Sequence, residues 1–435
     1  MTLAGASAAL LTDRYQLTMA ESYLAQGVAD DRVAFELFVR ELPADRGYLI
    51  AAGLEQAVDY MRNLAFTEAD LRYMRDSGTC TALLCERLSG ERFDADLDAV
   101  PEGTAVHAME PLLRVEGRRL ICQLVESMVL NLVNFSTLIA SKAARVVEAA
   151  QGRPAVDFGF RRAHGPDAGL MAARSAYIGG CAGTATVAAG ALWGIPTVGT
   201  IAHSYVMSFH NEVDAYRAFL RDHPGPVTLL IDTYDTLVGA QRAVEAARST
   251  GISPEAVRLD SGDVGMLSRD VRRILDEGGL AATRILVSGD LDEWVIEELL
   301  AEGAPIDGFG VGTRLVTSYD VPALGSIYKL VESAGQPVMK IAGRKTTLPG
   351  RHQVFRDCDG DTLGLVDEAL PGVQLLQPVL RGGQRVSGAP SLEAIRDRAA
   401  SERAALPSDM RRLTGPSTRQ PRLSPKLRAL KERLA

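Results

Sequence analysis

Two hydrophobic periods alternate along the first third of the chain. Between Thr12 and Gln26, the apolar residues Tyr15, Leu17, Met19 and Tyr23 lie around a polar face, which predicts a helix. Arg32 to Val39 alternates instead, with Val33, Phe35, Leu37 and Val39 on one side, as a strand does. Helical patterns return from Leu54 and over Glu68–Arg75. Short strands are predicted around Ala105–Met109 and Leu112–Val115. This region reads as α+β.

The texture changes near residue 120. Ile121 to Ala150 has few turn signals and long apolar periodicity, predicting helix. Short apolar runs follow, each closed by small or acidic residues and leading into a helical stretch. They are Ala155–Phe158, Thr197–Ala202, Val227–Ile231, Ala256–Leu259, Arg284–Val287 and Ile306–Phe309. The last five end at His203, Asp232, Asp260, Gly289 and Gly310, spaced by 29, 28, 29 and 21 residues. A strand–helix unit needs about that length, and right-handed crossovers repeated this way close into a barrel whose strand ends carry the chemistry. An open doubly wound sheet is the alternative. Beyond Pro322 strands return at Ile327–Glu332, Val338–Ile341, Gln353–Arg356 and Leu363–Leu365. The expected class is therefore α/β. An irregular β/α barrel over 121–325 sits beside an α+β domain built from 1–120 and 326–400, and a basic tail spans 401–435. From Ser408 onward that tail holds eight basic and two acidic residues, and is expected to be solvated and only partly ordered.

Composition narrows the possibilities. The chain has 435 residues, a net charge of −8, 46% hydrophobic and 23% charged residues, which suits a folded protein and not a nucleic-acid-binding domain. Five cysteines without a CxxC pair make neither a disulfide framework nor a zinc cluster, so a cytoplasmic setting is expected. Residues Met1 to Thr12 carry no basic residue and are expected not to be a targeting signal. Ser175 to Ala202 is uncharged and long enough to span a bilayer. Its six glycines and its many Ala and Thr residues predict buried core instead, with no membrane association.

Candidate chemistry gathers at the predicted strand ends. Ser288-Gly289-Asp290-Leu291-Asp292 and Gly308-Phe309-Gly310-Val311-Gly312-Thr313 each link a strand to a helix, and paired loops of this kind offer free N–H groups to a phosphate. Either alone reads equally well as a structural glycine turn. Arg258 and Asp260 stand two apart on one strand and so point to the same face, where the carboxylate can hold ribose hydroxyls or Mg2+ and the arginine an anion. His203 is one of only six histidines and ends the uncharged segment at the predicted active face. Asp157-Phe158-Gly159-Phe160-Arg161-Arg162 sets aromatic rings beside guanidinium groups, as a flat anionic ring requires. There is no HExxH and no GxSxG.

In order along the chain, Leu11–Met19, the turn Phe158–Arg162, Gly199-Thr200-Ile201-Ala202-His203-Ser204, Leu229–Thr236, Val257–Asp263, Ser288–Glu293 and Phe309–Ser318 resemble nicotinate phosphoribosyltransferases, as do Tyr328–Val331 and Lys345–Gly350. The resemblance implies a type II phosphoribosyltransferase, usually a homodimer. Such an enzyme joins nicotinate to phosphoribosyl pyrophosphate in NAD biosynthesis, with coupled ATP hydrolysis, Mg2+ and a ligase-type classification. It implies that His203 becomes a phosphohistidine and that Tyr15, from the neighbouring subunit, and Phe158 sandwich the pyridine ring. Thr200 and Arg258 would contact nicotinate, with Arg161 as a further candidate. Gly289, Asp290, Gly312 and Thr313 would form the 5′-phosphate site, and Asp260 would face the ribose or the pyrophosphate. Asp232 is expected, by position alone, to orient His203. The nicotinamide-using relative carries an Asp in a Gly-Thr-Asp-Thr turn where this chain reads Gly183-Thr184-Ala185-Thr186. That enzyme is the first alternative, and a non-catalytic nicotinate-binding protein on the same fold is the second.

Overall fold

Three helices that leave parallel strands begin on an aspartate, and these caps set the geometry of the region between residues 142 and 322. In the computed structural model, which describes residues 7–223, 225–341 and 347–435, the chain forms two compact units. One comprises 1–141 with 323–435, and the other 142–322.

In the second unit six parallel strands form a curled half-barrel sheet. Their order is Gly183–Thr184, Ala155–Asp157, Gly308–Val311, Arg284–Ser288, Ala256–Leu259, Thr228–Leu230. The middles of the strands are buried and apolar, with Leu229, Val257, Ile285, Val287, Phe309 and Val311 in the core, as strands covered on both faces require. Asp235, Asp263 and Asp292 each accept the first free N–H groups of the helices Thr236–Thr250, Val264–Glu277 and Glu293–Ala301, at 2.9 to 3.0 Å. Behind the Thr228–Leu230 strand, the Thr236–Thr250 helix comes so close that a Cβ on Gly239 would meet the Ile231 carbonyl oxygen at 1.9 Å.

Two expectations fail here. Thr197–Ala202 is not a strand. Only Thr197 bridges to Thr184, the Val198 amide donates to Thr184 O at 2.9 Å, and the chain then leaves the sheet. Pro196 has no N–H to give and Gly199 has no side chain to pack, so nothing extends the pairing. His203 accordingly opens a short helix, His203–Met207. The uncharged segment is also only half core. Residues 172–179 are buried, whereas Val187, Leu192 and Val198 are 76%, 59% and 37% exposed. Among the described residues no helix is long and apolar enough to cross a membrane.

The first unit is organised on a seven-stranded antiparallel sheet. Arg32–Val39 lies between Ser326–Ser333 and Pro111–Arg118, so the strand that follows residue 322 pairs directly with the N-terminal one. Alternation predicts one wet face for Arg32–Val39, yet every residue after Arg32 is buried. Glu36 is accommodated there because its carboxylate accepts the His352 amide at 2.7 Å and faces His352 Nδ1 at 2.6 Å. Val338–Ile341 forms no strand, and Lys345 and Thr346 lie outside the described residues. The C-terminal segment is folded rather than loose. Leu392–Ala405 and Pro425–Leu434 are helices with Ile395, Leu427 and Leu430 buried, and Arg422–Leu423 pairs in parallel with Gly360–Leu365. Its leucines repeat at helical spacing and bury one face, while the basic residues that suggested a solvated tail occupy the other. The cysteine count gave no sign of one local clip, a disulfide between Cys80 and Cys85.

The contact behind Gly239 gives a direct test of the packing. Gly239→Ala should destabilise the protein by about 1–3 kcal/mol, the usual cost of overpacking. Gly251→Ala, where a Cβ would meet open space at a left-handed cap, should cost only about 1 kcal/mol. Urea unfolding midpoints measure both.

Candidate active site

Parallel register brings one end of all six strands together. Leu230 lies beside Arg258, Leu259 beside Val287, Ser288 beside Gly310, Val311 beside Asp157, and Asp157 beside Thr184. The residues just beyond these pairs are Asp232, Asp260, Gly289, Gly312, Phe158 and Ala185. In parallel α/β units this carboxyl end of the sheet is where ligands bind.

Asp260 is the centre of the cluster. Its carboxylate accepts the Ser288 hydroxyl and lies 3.3 Å from Arg258 Nη2 and 3.9 Å from His203 Nε2. Its own amide donates to Asp232 Oδ2 at 2.9 Å, and the Ser261 hydroxyl reaches the same oxygen at 2.8 Å. Asp232 is therefore not the group that orients His203. Its carboxylate turns along the sheet to hold the Asp260 loop, and His203 Nδ1 instead faces the Thr233 hydroxyl at 3.3 Å. Among the described residues, two buried atoms in this cluster have no partner, Asp232 Oδ1 and Arg258 Nε. One is an acceptor suited to a hard cation and the other a donor suited to an anion. The Arg258 guanidinium also sits 5.9 Å from the centre of the Phe158 ring.

The two glycine loops lie next to each other because their strands pair. Gly289 has φ +93°, and a Cβ there would meet the Asp260 carbonyl oxygen at 2.1 Å, so only glycine lets this loop close onto its neighbour. Asp290 follows, also left-handed at φ +46°. The second loop places Gly312 and Thr313 at the start of a single turn of helix. An ion pair joins the loops, since Asp292 caps its helix with one carboxylate oxygen and binds Arg314 with the other. Glu293, fully buried, meets Lys142 and Arg145. Lys142 also binds Asp320 at 2.7 Å, and the Trp294 ring lies against both cations.

The remaining expected residues are more dispersed. Thr200 is half-buried and its hydroxyl donates to the Ile201 carbonyl oxygen at 3.3 Å, while Arg161 is exposed on the 3-10 turn Phe160–Arg162. Tyr15 belongs to the first unit, on the helix Arg14–Ala25, and is 47% exposed. Its hydroxyl donates to Glu126 at 3.2 Å; partial burial and that carboxylate push the phenol up to about 12, so it stays a neutral donor. Sequence inspection missed Ser288, Ser261 and Thr233. Small hydroxyl residues carry no pattern of their own, and the only available signal was their position beside a strand-end aspartate or glycine.

Comparison with known proteins covers almost the whole chain. Residues 10–134 match the family model for the nicotinate phosphoribosyltransferase N-terminal domain, and residues 370–431 that for the C-terminal domain. A nicotinate phosphoribosyltransferase of Mycobacterium tuberculosis is 46% identical over 413 residues, covering 93% of this chain and 89% of the relative. One from Bacillus subtilis is 43% identical over 378 residues, covering 83% and 77%. The crystal structure of human nicotinic acid phosphoribosyltransferase superposes with a TM-score of 0.85 at 29% identity, over 98% of this chain and 100% of that one.

The buried cation pair behind the first glycine loop is open to test by stability. Lys142→Met removes the cation shared by Glu293 and Asp320 and leaves the buried glutamate with Arg145 alone. A loss of about 3 kcal/mol is expected, the low end for breaking a buried ion pair. Chemical unfolding measures it, and an unchanged midpoint would mean that Arg145 alone suffices.

Proposed function

The chain belongs to the nicotinate phosphoribosyltransferase family, and from that premise we propose how the residues at the sheet's carboxyl end divide the work of the reaction. The activity is the transfer of a phosphoribosyl group to nicotinate, in NAD biosynthesis. The pyridine nitrogen attacks the anomeric carbon of phosphoribosyl pyrophosphate, the anomeric C–O bond breaks, and pyrophosphate leaves with the electron pair.

The observation that carries the assignment of roles is Arg258. Its guanidinium lies against the Phe158 ring with a buried, unpartnered Nε, a donor that a pyridine carboxylate would satisfy while its ring stacks on Phe158. Thr200 and the exposed Arg161 line the approach. Tyr15 supplies the second aromatic face from a neighbouring copy in a homodimer, which its exposed position on the first unit supports. The N–H groups of Gly289, Asp290, Gly312 and Thr313 hold the 5′-phosphate, and the Asp292–Arg314 pair keeps the two loops in register. Asp260 holds the ribose and faces the positive charge that develops at the anomeric centre as the bond breaks. Oxygen donors from Asp232 and Asp260 fit Mg2+, which when bound neutralises charge on the departing pyrophosphate.

His203 is the nucleophile toward ATP. The imidazole takes the γ-phosphoryl group, ADP leaves, and water later removes the phosphate. A phosphohistidine adds roughly 1.5 to 2 negative charges, by analogy with other phosphorylated side chains. That charge lands beside Asp260, whose carboxylate lies 3.9 Å from His203 Nε2.

Two outcomes test these roles. Nicotinate should be preferred over nicotinamide by more than ~10²-fold, because Ala185 offers the amide N–H groups no acceptor and a neutral group gives Arg258 no charge-assisted hydrogen bond. Product analysis with each base, with and without ATP, decides this, and equal turnover would support the nicotinamide-using alternative. His203→Ala should abolish ATP hydrolysis and acid-labile labelling from γ-labelled ATP, and leave a slow transfer that ATP does not stimulate. Label persisting at the unaltered level would remove His203 from the mechanism.

A further inference from the structure

Asp157 is a buried carboxylate that no role described so far uses. It ends the Ala155–Asp157 strand, is 1% exposed, and among the described residues no cation pairs with it. Burial holds its carboxyl above the usual range, and the hydrogen bonds from Thr184 and Gly159 offset only part of that. A charge hidden at such cost is expected to be fully hydrogen-bonded, and this one is.

What it bonds to is informative. Asp157 Oδ1 accepts the Gly159 amide at 2.8 Å, which fixes the turn that presents Phe158. Oδ2 accepts the Thr184 hydroxyl at 2.7 Å, across to the neighbouring strand. The same Thr184 oxygen accepts the Thr186 amide at 3.0 Å, while the Asp157 carbonyl oxygen accepts the Ala185 amide at 2.8 Å. Thr184 and Thr186 are thereby buried on either side of an exposed Ala185. The aromatic floor at Phe158 and the wall at Ala185 come from different strands, and one side chain ties both.

We propose that Asp157 is a positioning residue that sets the width of the base-binding slot, and through it the discrimination between carboxylate and carboxamide bases. This rests on the assignment of Phe158 and Ala185 to the nicotinate site. The tie has a direction: the Thr184 hydroxyl gives its one hydrogen to Asp157 Oδ2 and accepts the Thr186 amide with a lone pair. An amide at position 157 would offer Thr184 a donor where it needs an acceptor.

The test uses the intact protein and steady-state kinetics for both substrates. Thr184→Val keeps the β-branched shape and deletes the donor. It should raise KM for nicotinate about tenfold and narrow the nicotinate-to-nicotinamide preference by a similar factor, the scale of one buried hydrogen bond. KM for phosphoribosyl pyrophosphate should stay within about twofold, because the phosphate loops lie on other strands. Thr184→Ser keeps the hydroxyl and should restore nicotinate KM. If Thr184→Val fails to fold, Asp157→Asn gives the same readout, since it can still accept from Gly159 but not from the Thr184 hydroxyl. Equal rises in both KM values, or an unchanged base preference, would overturn the proposal and leave Asp157 a stabilising residue only. An unaltered chain that turns over neither base would overturn the functional assignment itself, a result visible before any variant is made.

Discussion

A parallel strand must be followed by a crossover back to the other end of the sheet, built here on a helix after each strand, and that requirement shapes the carboxyl end of this sheet. Each turn must satisfy the free N–H groups of the new helix and also present chemistry. The chain solves both with acidic residues three apart. Asp232 and Asp235, then Asp260 and Asp263, divide the tasks: the first turns toward the cluster and the second caps the helix. At the next strand the first position is Gly289, where the backbone must pass the Asp260 carbonyl, and Asp292 remains as the cap. The acidic richness of these loops is thus partly scaffold and partly site.

A site built from carboxylates for substrates that carry phosphates needs its charge managed. Asp232 is covered by an amide and a hydroxyl, Asp260 by Ser288 and Arg258, and Asp292 by Arg314. Glu293 is held by two cations from one helix. Asp232, Asp292 and Glu293 are buried from bulk water, and Asp260 is half-buried. A pairwise, low-dielectric arrangement fixes their direction, and direction is what electrostatic stabilisation of a developing charge demands.

Much of this was legible in the sequence, for physical reasons that vary by element. Ala256–Leu259 and Arg32–Val39 were placed to the residue, because apolar runs closed by acidic or turn residues leave little choice of boundary. Asp260 and Gly289 were placed at strand ends because residue types that serve chemistry stood at regular intervals, and Arg258 was placed on the same strand because it stands two before Asp260. Thr197–Ala202 misled because a run of small apolar residues looks alike as a strand or as close-packed coil, and pairing partners are not written in the local pattern. Asp157 and Thr184 were invisible as a pair. Each is an ordinary residue 27 positions from the other, and only the parallel neighbour relation makes them one feature. The bonding of Asp232 went wrong for a related reason: position along the chain gave its strand end, while the direction of its carboxylate depends on the next strand over.

The two unpartnered atoms, Asp232 Oδ1 and Arg258 Nε, connect the architecture to its energetics. A buried polar group left unpaired costs about 1–3 kcal/mol, which a ligand pairing with it would recover. The surrounding bonds prevent collapse from relieving that cost. Asp260 is held by Asp232 and Ser288, Phe158 by the turn that Asp157 fixes, and the glycine loops by backbone contact and the Asp292–Arg314 pair. Binding free energy that would otherwise order these groups is then available to interactions made as the glycosidic bond breaks. Rigidity supplied by neighbouring strands is what lets a curled parallel sheet present Arg258 Nε as a donor and Asp232 Oδ1 as an acceptor in fixed directions.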